Sequence, residues 1–204
     1  YNGSGKRTKY ECLGSSTKIS VIRGMSLPKK MKLSELLPGD KVMVYDMKNQ
    51  TFYWDVIYYI RSHGNNTVKH ISITTESDDE IIGTVEHLIY VDTDEGFKRV
   101  RFDNITKDMS LLRINTSTNL LEAVKIKEIK EVDDIPLTPT TTSGILTLGN
   151  NNILTSCWAH SEEHAQRMEF WSKSSQLLTK VLPYKLCSKI AHFSYENIIS
   201  PIVH

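Results

Sequence analysis

The sequence predicts a mainly β body with a helical extension at its C-terminal end. Three observations carry this. Short β-branched and aromatic runs recur from about residue 17 to residue 158, turn residues separate them, and beyond residue 159 the apolar spacing becomes helical. The first runs are Ile19-Ser20-Val21-Ile22, Lys41-Val42-Met43-Val44-Tyr45, Thr51-Phe52-Tyr53-Trp54 and Val56-Ile57-Tyr58-Tyr59-Ile60. His70-Ile71-Ser72-Ile73, Ile81-Ile82, Leu88-Ile89-Tyr90-Val91, Ser110 to Ile114 and Ala123 to Ile129 follow. Pro38-Gly39-Asp40, Gly64-Asn65-Asn66 and Gly149-Asn150 mark turns, because Gly and Asn tolerate left-handed backbone and Pro presets a bend.

The β body also repeats itself. Leu33-Ser34-Glu35-Leu36-Leu37-Pro38-Gly39-Asp40-Lys41-Val42 lies on Phe102-Asp103-Asn104-Ile105-Thr106-Lys107-Asp108-Met109-Ser110-Leu111. Each copy reads as a helical turn, capped by Ser34 or Asp103, that runs through a bend into a strand. The same shift carries Val44 to Arg113 and Ile57 to Ile126, so duplication of one β unit is expected, giving a pseudo-twofold domain.

In the extension, Ala165, Met168, Trp171, Leu178, Val181 and Leu182 recur at helical spacing up to Pro183. A second amphipathic segment runs from Tyr184 to Ile199, with Leu186, Cys187, Ile190, Ala191 and Ile198 on its apolar face. These helices either cap the body or form a groove or membrane-surface element for an apolar ligand.

Composition removes several classes of function. The 204 residues carry a net charge of +1 without a basic stripe, so nucleic acid is not an expected partner. No apolar run reaches the ~20 residues needed to cross a bilayer as a helix. Three cysteines at these spacings make neither a disulfide scaffold nor a zinc site, and no metal or cofactor is expected. Sequons at Asn2, Asn49, Asn65, Asn104 and Asn115 favour a secretory history. Residues 1–11 read as the end of a longer upstream segment.

The chemistry centres on Cys12 and the box Thr84-Val85-Glu86-His87. A thiol can attack the carbonyl of the preceding residue and convert its own peptide bond to a thioester. That requires a deprotonated thiol, a stabilised oxyanion and a proton for the departing amine. Cys12 supplies the first, and His87 suits the proton transfer because imidazole titrates near neutrality. Thr84, three residues earlier, can orient the ring or bind the oxyanion. On spacing alone the same residues also fit an inert core thiol and a structural histidine.

Cys12 to Ile19, Leu33-Ser34-Glu35-Leu36 and Pro38 to Val42 together resemble the opening of a Hint domain, the module shared by hedgehog proteins and inteins. Thr84-Val85-Glu86-His87-Leu88-Ile89 is similar to the module's Thr-x-x-His-Leu box. Ile135 to Thr138, Gly144 to Thr147 and Ser156-Cys157-Trp158-Ala159 resemble the end of the hedgehog version, and His164 to Pro183 more loosely resembles its sterol-recognition extension. The resemblance implies a flat, horseshoe-like pseudo-twofold β domain over residues 12–159 and a lipid-recognition extension over 160–204. It implies a single-turnover, autocatalytic cleavage at Glu11-Cys12, with Cys12, Thr84 and His87 in the first step. A sterol hydroxyl then attacks the thioester, so that the sterol is a co-substrate and the covalently attached upstream domain leaves as a lipid ester. Met168, Trp171, Leu178 and Leu182 are the expected lipid contacts, and the secretory pathway is the expected compartment. Cys157 matches a cysteine near the nucleophile, able to accept the acyl group or to form a disulfide with Cys12.

Two departures stand out. Glu11 replaces the usual Gly before the cysteine, and Arg61 falls where hedgehog relatives place the Asp base of the second step. His63, two residues on, is the expected substitute, with Tyr58 and Arg61 behind it. The alternatives are resolution of the thioester by water or another nucleophile, and a lipid-binding β domain without catalysis. Splicing is disfavoured: Ile202-Val203-His204 is similar to an intein's end, but the Asn that would cyclise does not follow.

Overall fold

The computed structural model describes residues 12–159 and 182–194. The first half contains β1 (Leu13–Gly14), β2 (Lys18–Ile22), β3 (Lys29–Lys32), β4 (Lys41–Asp46), β5 (Thr51–Ser62), β6 (Val68–Thr75) and β7 (Glu80–Gly83). The second contains β8 (His87–Thr93), β9 (Gly96–Arg101), β10 (Ser110–Asn115), β11 (Leu120–Asp134), β12 (Pro136–Thr141), β13 (Ile145–Leu148) and β14 (Ile153–Ala159). All pairings are antiparallel, in the order β10-β11-β6-β7-β1-β12-β5-β4-β2-β13-β14-β8-β9. β3 pairs with β2, and β10 also pairs with β14 and β8, so the sheet turns back on itself.

The repeat expected from sequence is visible strand by strand. The 3-10 turn Leu33–Glu35 recurs 69 positions later as Phe102–Asn104, and the β4–β5 hairpin recurs as β10–β11. Closing hydrogen bonds recur as well: Leu36 N–H to Leu33 O has its counterpart in Ile105 to Phe102, and Asp40 to Leu37 in Met109 to Thr106. The caps differ from expectation. Ser34 and Asp103 lie inside their turns, with Lys32 and Arg101 at the N-cap positions. Glu35 accepts the Lys32 amide at 2.7 Å, and Asp103 accepts from the Arg101 guanidinium.

The two runs either side of Asp55 form one strand, β5. Asp55 is tolerated there, 6% exposed, because Thr142 Oγ1 and the Ser143 amide donate to its carboxylate. β3, with Met31 alone buried, and β9, with no fully buried residue, lack the apolar alternation that marks a strand in sequence. The main core is a continuous apolar cluster that includes Leu13, Ile19, Leu33, Ile57, Ile73, Ile89, Phe102, Leu111 and Leu146.

Among the described residues, the helical extension is one helix, α1 (Tyr184–Ser194). Ala191 packs with Tyr58, Tyr59 and Val56 of β5, while Leu186 and Phe193 are exposed. The first predicted helix, with Met168, Trp171 and Leu178, falls outside the described residues.

Candidate functional site

Strand register assembles the site. One step beyond Leu13↔Gly83 places Cys12 opposite Thr84, and one step beyond Leu13↔Leu137 places it opposite Thr138. Thr138 in turn pairs with Arg61. Continuing past Ile71↔Gly83 puts His70 across from Thr84 on the other side. One row thus crosses five strands: His70, Thr84, Cys12, Thr138, Arg61. Residues opposite one another in antiparallel strands project to the same face. The contacts agree, since Thr138 Oγ1 donates to Cys12 Sγ at 3.2 Å.

Cys12 is fully buried, and its backbone is held by Thr84 in an unusual way. The Thr84 amide donates to Cys12 O at 2.8 Å, as in an ordinary ladder. The Cys12 amide, however, donates to Thr84 Oγ1 at 3.0 Å. The Thr84 carbonyl is instead committed to the His87 amide at 3.0 Å, closing a tight turn. A side-chain hydroxyl therefore holds the amide nitrogen before which the chain is expected to break. That hydroxyl also donates to Cys12 O at 3.2 Å.

His87 is fully buried beside the Phe102 ring, which packs edge-on at 6.0 Å. Gly83 makes room for that ring: a Cβ there would stand 2.7 Å from it. Nε2 of His87 lies 2.9 Å from Ser156 O. A carbonyl only accepts, so the proton is on Nε2 and Nδ1 carries the lone pair. Among the described residues, Nδ1 is buried with no hydrogen-bond partner. The Ser156 carbonyl sits in an irregular stretch of the β8–β14 pairing, between Thr155↔Ile89 and Ala159↔His87. Burial pushes the His87 imidazole down to about 4, against the raising effect of the Ser156 carbonyl, so it is neutral at physiological pH.

Cys157 is buried next in chain to Ser156, its amide on Gly144 O and its sulfur 3.5 Å from Thr141 Oγ1. β12 therefore sets a hydroxyl oxygen against each of the two sulfurs, Thr138 donating to Cys12 and Thr141, whose proton goes to Ile145 O at 2.8 Å, lying against Cys157. Cys12 and Cys157 are both in the thiol form in this structure. His63 follows the end of β5, half-buried, two residues beyond Arg61. Tyr58 is fully buried against α1. Leu182 is half-buried just before α1, and its carbonyl lies 3.5 Å from Cys187 Sγ. Burial raises the Cys187 thiol.

Nothing in the sequence signals Thr138 or the Ser156 carbonyl, because strand pairing alone brings them in. His70, in sequence only the first residue of an apolar run, is 1% exposed and lies in the site's row. Its Nδ1 is 2.9 Å from Val68 O, and its Nε2 has no hydrogen-bond partner among the described residues. Gly14, two residues after Cys12, is required by close approach: a Cβ there would meet Ile82 Cγ2 at 2.5 Å and Asp134 Oδ2 at 2.6 Å.

A family profile described as the Hint module matches residues 3–194. No curated relative matches the chain. Among solved structures, the transcription factor IIB Mvu mini-intein aligns with TM-score 0.60 and 15% identity, covering 71% of this chain and 99% of that one. The Pab PolII intein gives 0.59 and 18%, over 71% and 100%. A DnaB intein from Synechocystis sp. PCC 6803 gives 0.58 and 14%, over 71% and 97%. At these identities the structural likeness speaks for the fold, and the profile match over most of the chain speaks for the family: this chain belongs to the Hint family of self-processing domains.

Proposed function

We propose that the chain cleaves the Glu11-Cys12 bond through an internal thioester and passes the upstream polypeptide to a sterol-like hydroxyl. The observation that carries the first step is the grip on Cys12, with its amide nitrogen on Thr84 Oγ1 and its sulfur on Thr138 Oγ1. The neutral His87 Nδ1 takes the thiol proton, and Sγ bonds to the Glu11 carbonyl carbon. The proton then passes to the Cys12 nitrogen as the C–N bond breaks. One imidazole serves both transfers, since the proton removed from sulfur is the one the leaving amine needs. Thr138, donating to the sulfur, stabilises developing thiolate character.

In the second step a hydroxyl attacks the thioester carbonyl, its proton going to His63 and Cys12 leaving as a thiolate. His63 is half-buried, two residues on from Arg61 in the site's row. Support for an apolar co-substrate or a membrane surface comes from α1, which exposes Leu186 and Phe193 while anchoring on β5. Met168, Trp171, Leu178 and Leu182 are its proposed lipid contacts, and Cys157 is proposed as a reserve thiol able to accept the acyl group. A secretory location is supported by exposed sequon asparagines at 49, 65 and 104. Asn115 differs, its amide being engaged by Glu122 at 2.5 Å.

A precursor carrying a reporter upstream of residue 1, incubated with and without sterol, tests this. Release by dithiothreitol alone reports the thioester. A released fragment heavier by one sterol ester at Glu11 is the expected product. A free Glu11 carboxylate would assign the second step to water, the reading favoured by Arg61 in place of a carboxylate. Intact precursor under both conditions would refute autoprocessing.

A further inference from the structure

Resting on the thioester reading, we propose that His70 is a positioning residue of the first step, acting through the Thr84 hydroxyl. His70 sits where β6 borders β7, one register step beyond the last pair, Ile71↔Gly83, on the side from which Thr84 continues. The Thr84 amide points to Cys12, away from β6, so continuing the register sets Thr84 and His70 as non-hydrogen-bonded neighbours, the arrangement in which side chains come closest. The Nδ1 contact with Val68 O fixes the proton on that nitrogen, leaving Nε2 as a lone-pair acceptor without a partner inside a fully buried region. An apolar residue would fill the same place without the cost of an unpaired nitrogen. A second orphaned imidazole nitrogen, His87 Nδ1, belongs to the turn that Thr84 begins.

The Thr84 hydroxyl has one proton and two prospective acceptors. At rest it donates to Cys12 O over a long 3.2 Å while accepting the Cys12 amide at 3.0 Å. When the scissile bond breaks, the Cys12 nitrogen becomes an amine with more N–H bonds to place. A hydroxyl that donates to His70 Nε2 no longer donates to the Cys12 carbonyl and is polarised into a better acceptor for the Cys12 N–H. His70 thus lets Thr84 follow the leaving group from amide to amine.

Dithiothreitol cleavage of the full precursor isolates this step. His70→Phe, close in shape but without an acceptor, is expected to slow it ~10-fold, about the worth of one hydrogen bond. His70→Gln, whose amide oxygen reaches the place of Nε2, should retain most of the parental rate. In a Thr84→Ala background His70→Phe should add no further loss. Equal slowing in that background, or a Gln variant as slow as Phe with both melting like the parent, would overturn the inference. A second readout needs no turnover: in nitrogen-15 histidine spectra the His70 Nε2 resonance should shift between the full precursor and the chain that begins at Cys12, whose nitrogen is already an amine, and Thr84→Ala should abolish that shift. An unmoved resonance also overturns it. Failure of the parent to form any thioester would instead strike the processing reading, with the spectra still deciding the contact.

Discussion

The duplicated architecture puts two turns in equivalent places, and they are used in opposite ways. Ser15-Ser16-Thr17-Lys18 in the first half corresponds to Thr84-Val85-Glu86-His87 in the second. Each leads into an equivalent strand, β2 or β8, and each opens with a hydroxyl residue whose amide is held by a neighbouring strand: Ser15 on Ile135 O at 2.9 Å, Thr84 on Cys12 O at 2.8 Å. From there they diverge. In the first turn Asp134 accepts from Ser15 Oγ at 3.0 Å and from the Ser16 amide and hydroxyl at 3.1 and 2.5 Å, and Lys18 is exposed. In the second the hydroxyl grips the Cys12 amide, and the residue replacing lysine is a buried imidazole with an unpaired nitrogen. One turn satisfies its polar groups and stabilises. The other leaves one unsatisfied among the described residues, as the proposed proton carrier of the first step requires.

The largest expected effect separates the two turns by function. His87→Ala should reduce dithiothreitol-induced cleavage by about 10²–10⁴-fold, the range for a lost general acid–base. Its melting temperature should fall only by the worth of one hydrogen bond, to Ser156 O, and of a cavity beside Phe102, with the chain still folded. A variant that instead unfolds while its residual folded fraction cleaves normally would make His87 a core residue.

pH sharpens the same contrast. His87 ionises near 4 in the folded chain and near 6.5 when unfolded. Between those values the unfolded state binds a proton the native state does not, so stability falls as pH drops from about 6.5 toward 4, by about 3 kcal/mol at most. Asp134 acts in a lower range. Although burial opposes it, the hydrogen bonds from Ser16, Ile135 and Ser15 hold its carboxyl below the usual value. Its stabilisation is present above the unfolded carboxylate pKa and is lost as pH falls through the depressed one. Denaturant unfolding from pH 8 to pH 4 should therefore show a slope that His87→Phe flattens. An unchanged slope in that variant would place the titrating group elsewhere.

How much of this was legible in the sequence follows from which forces act locally. The duplication was readable because Leu33–Glu35 and Phe102–Asn104 repeat a local turn-and-strand pattern. Ser34 and Asp103 misled as caps because 3-10 turns this short are closed by neighbours, with Glu35 reaching back to Lys32. β3 and β9 were silent because they bury too little to need apolar residues. Cys12, Thr84 and His87 could be named together only through their resemblance to a family. The rest of the row is set by long-range register, with 126 residues separating Thr138 from Cys12. No periodicity within one strand announces which residue will sit across from it.

The smallest expected effects compare hydroxyls. Asp134→Ala should leave Ser15 and Ser16 without their acceptor and cost about 2 kcal/mol in denaturant unfolding, the first turn being structural. Thr138→Val keeps the β-branched shape and removes a single donor to Cys12 Sγ. It should scarcely move the melting temperature, because a half-buried sulfur contact is a weak bond at rest. During attack the sulfur gains negative character, and a hydroxyl aimed at it is worth more then than before. A roughly five- to tenfold fall in thioester formation, about 1 kcal/mol of differential stabilisation, is expected. The deficit should shrink as pH rises and the thiolate forms unaided. A deficit constant across pH would mean that Thr138 only packs against Cys12, and the chemistry of this row would then end at Thr84.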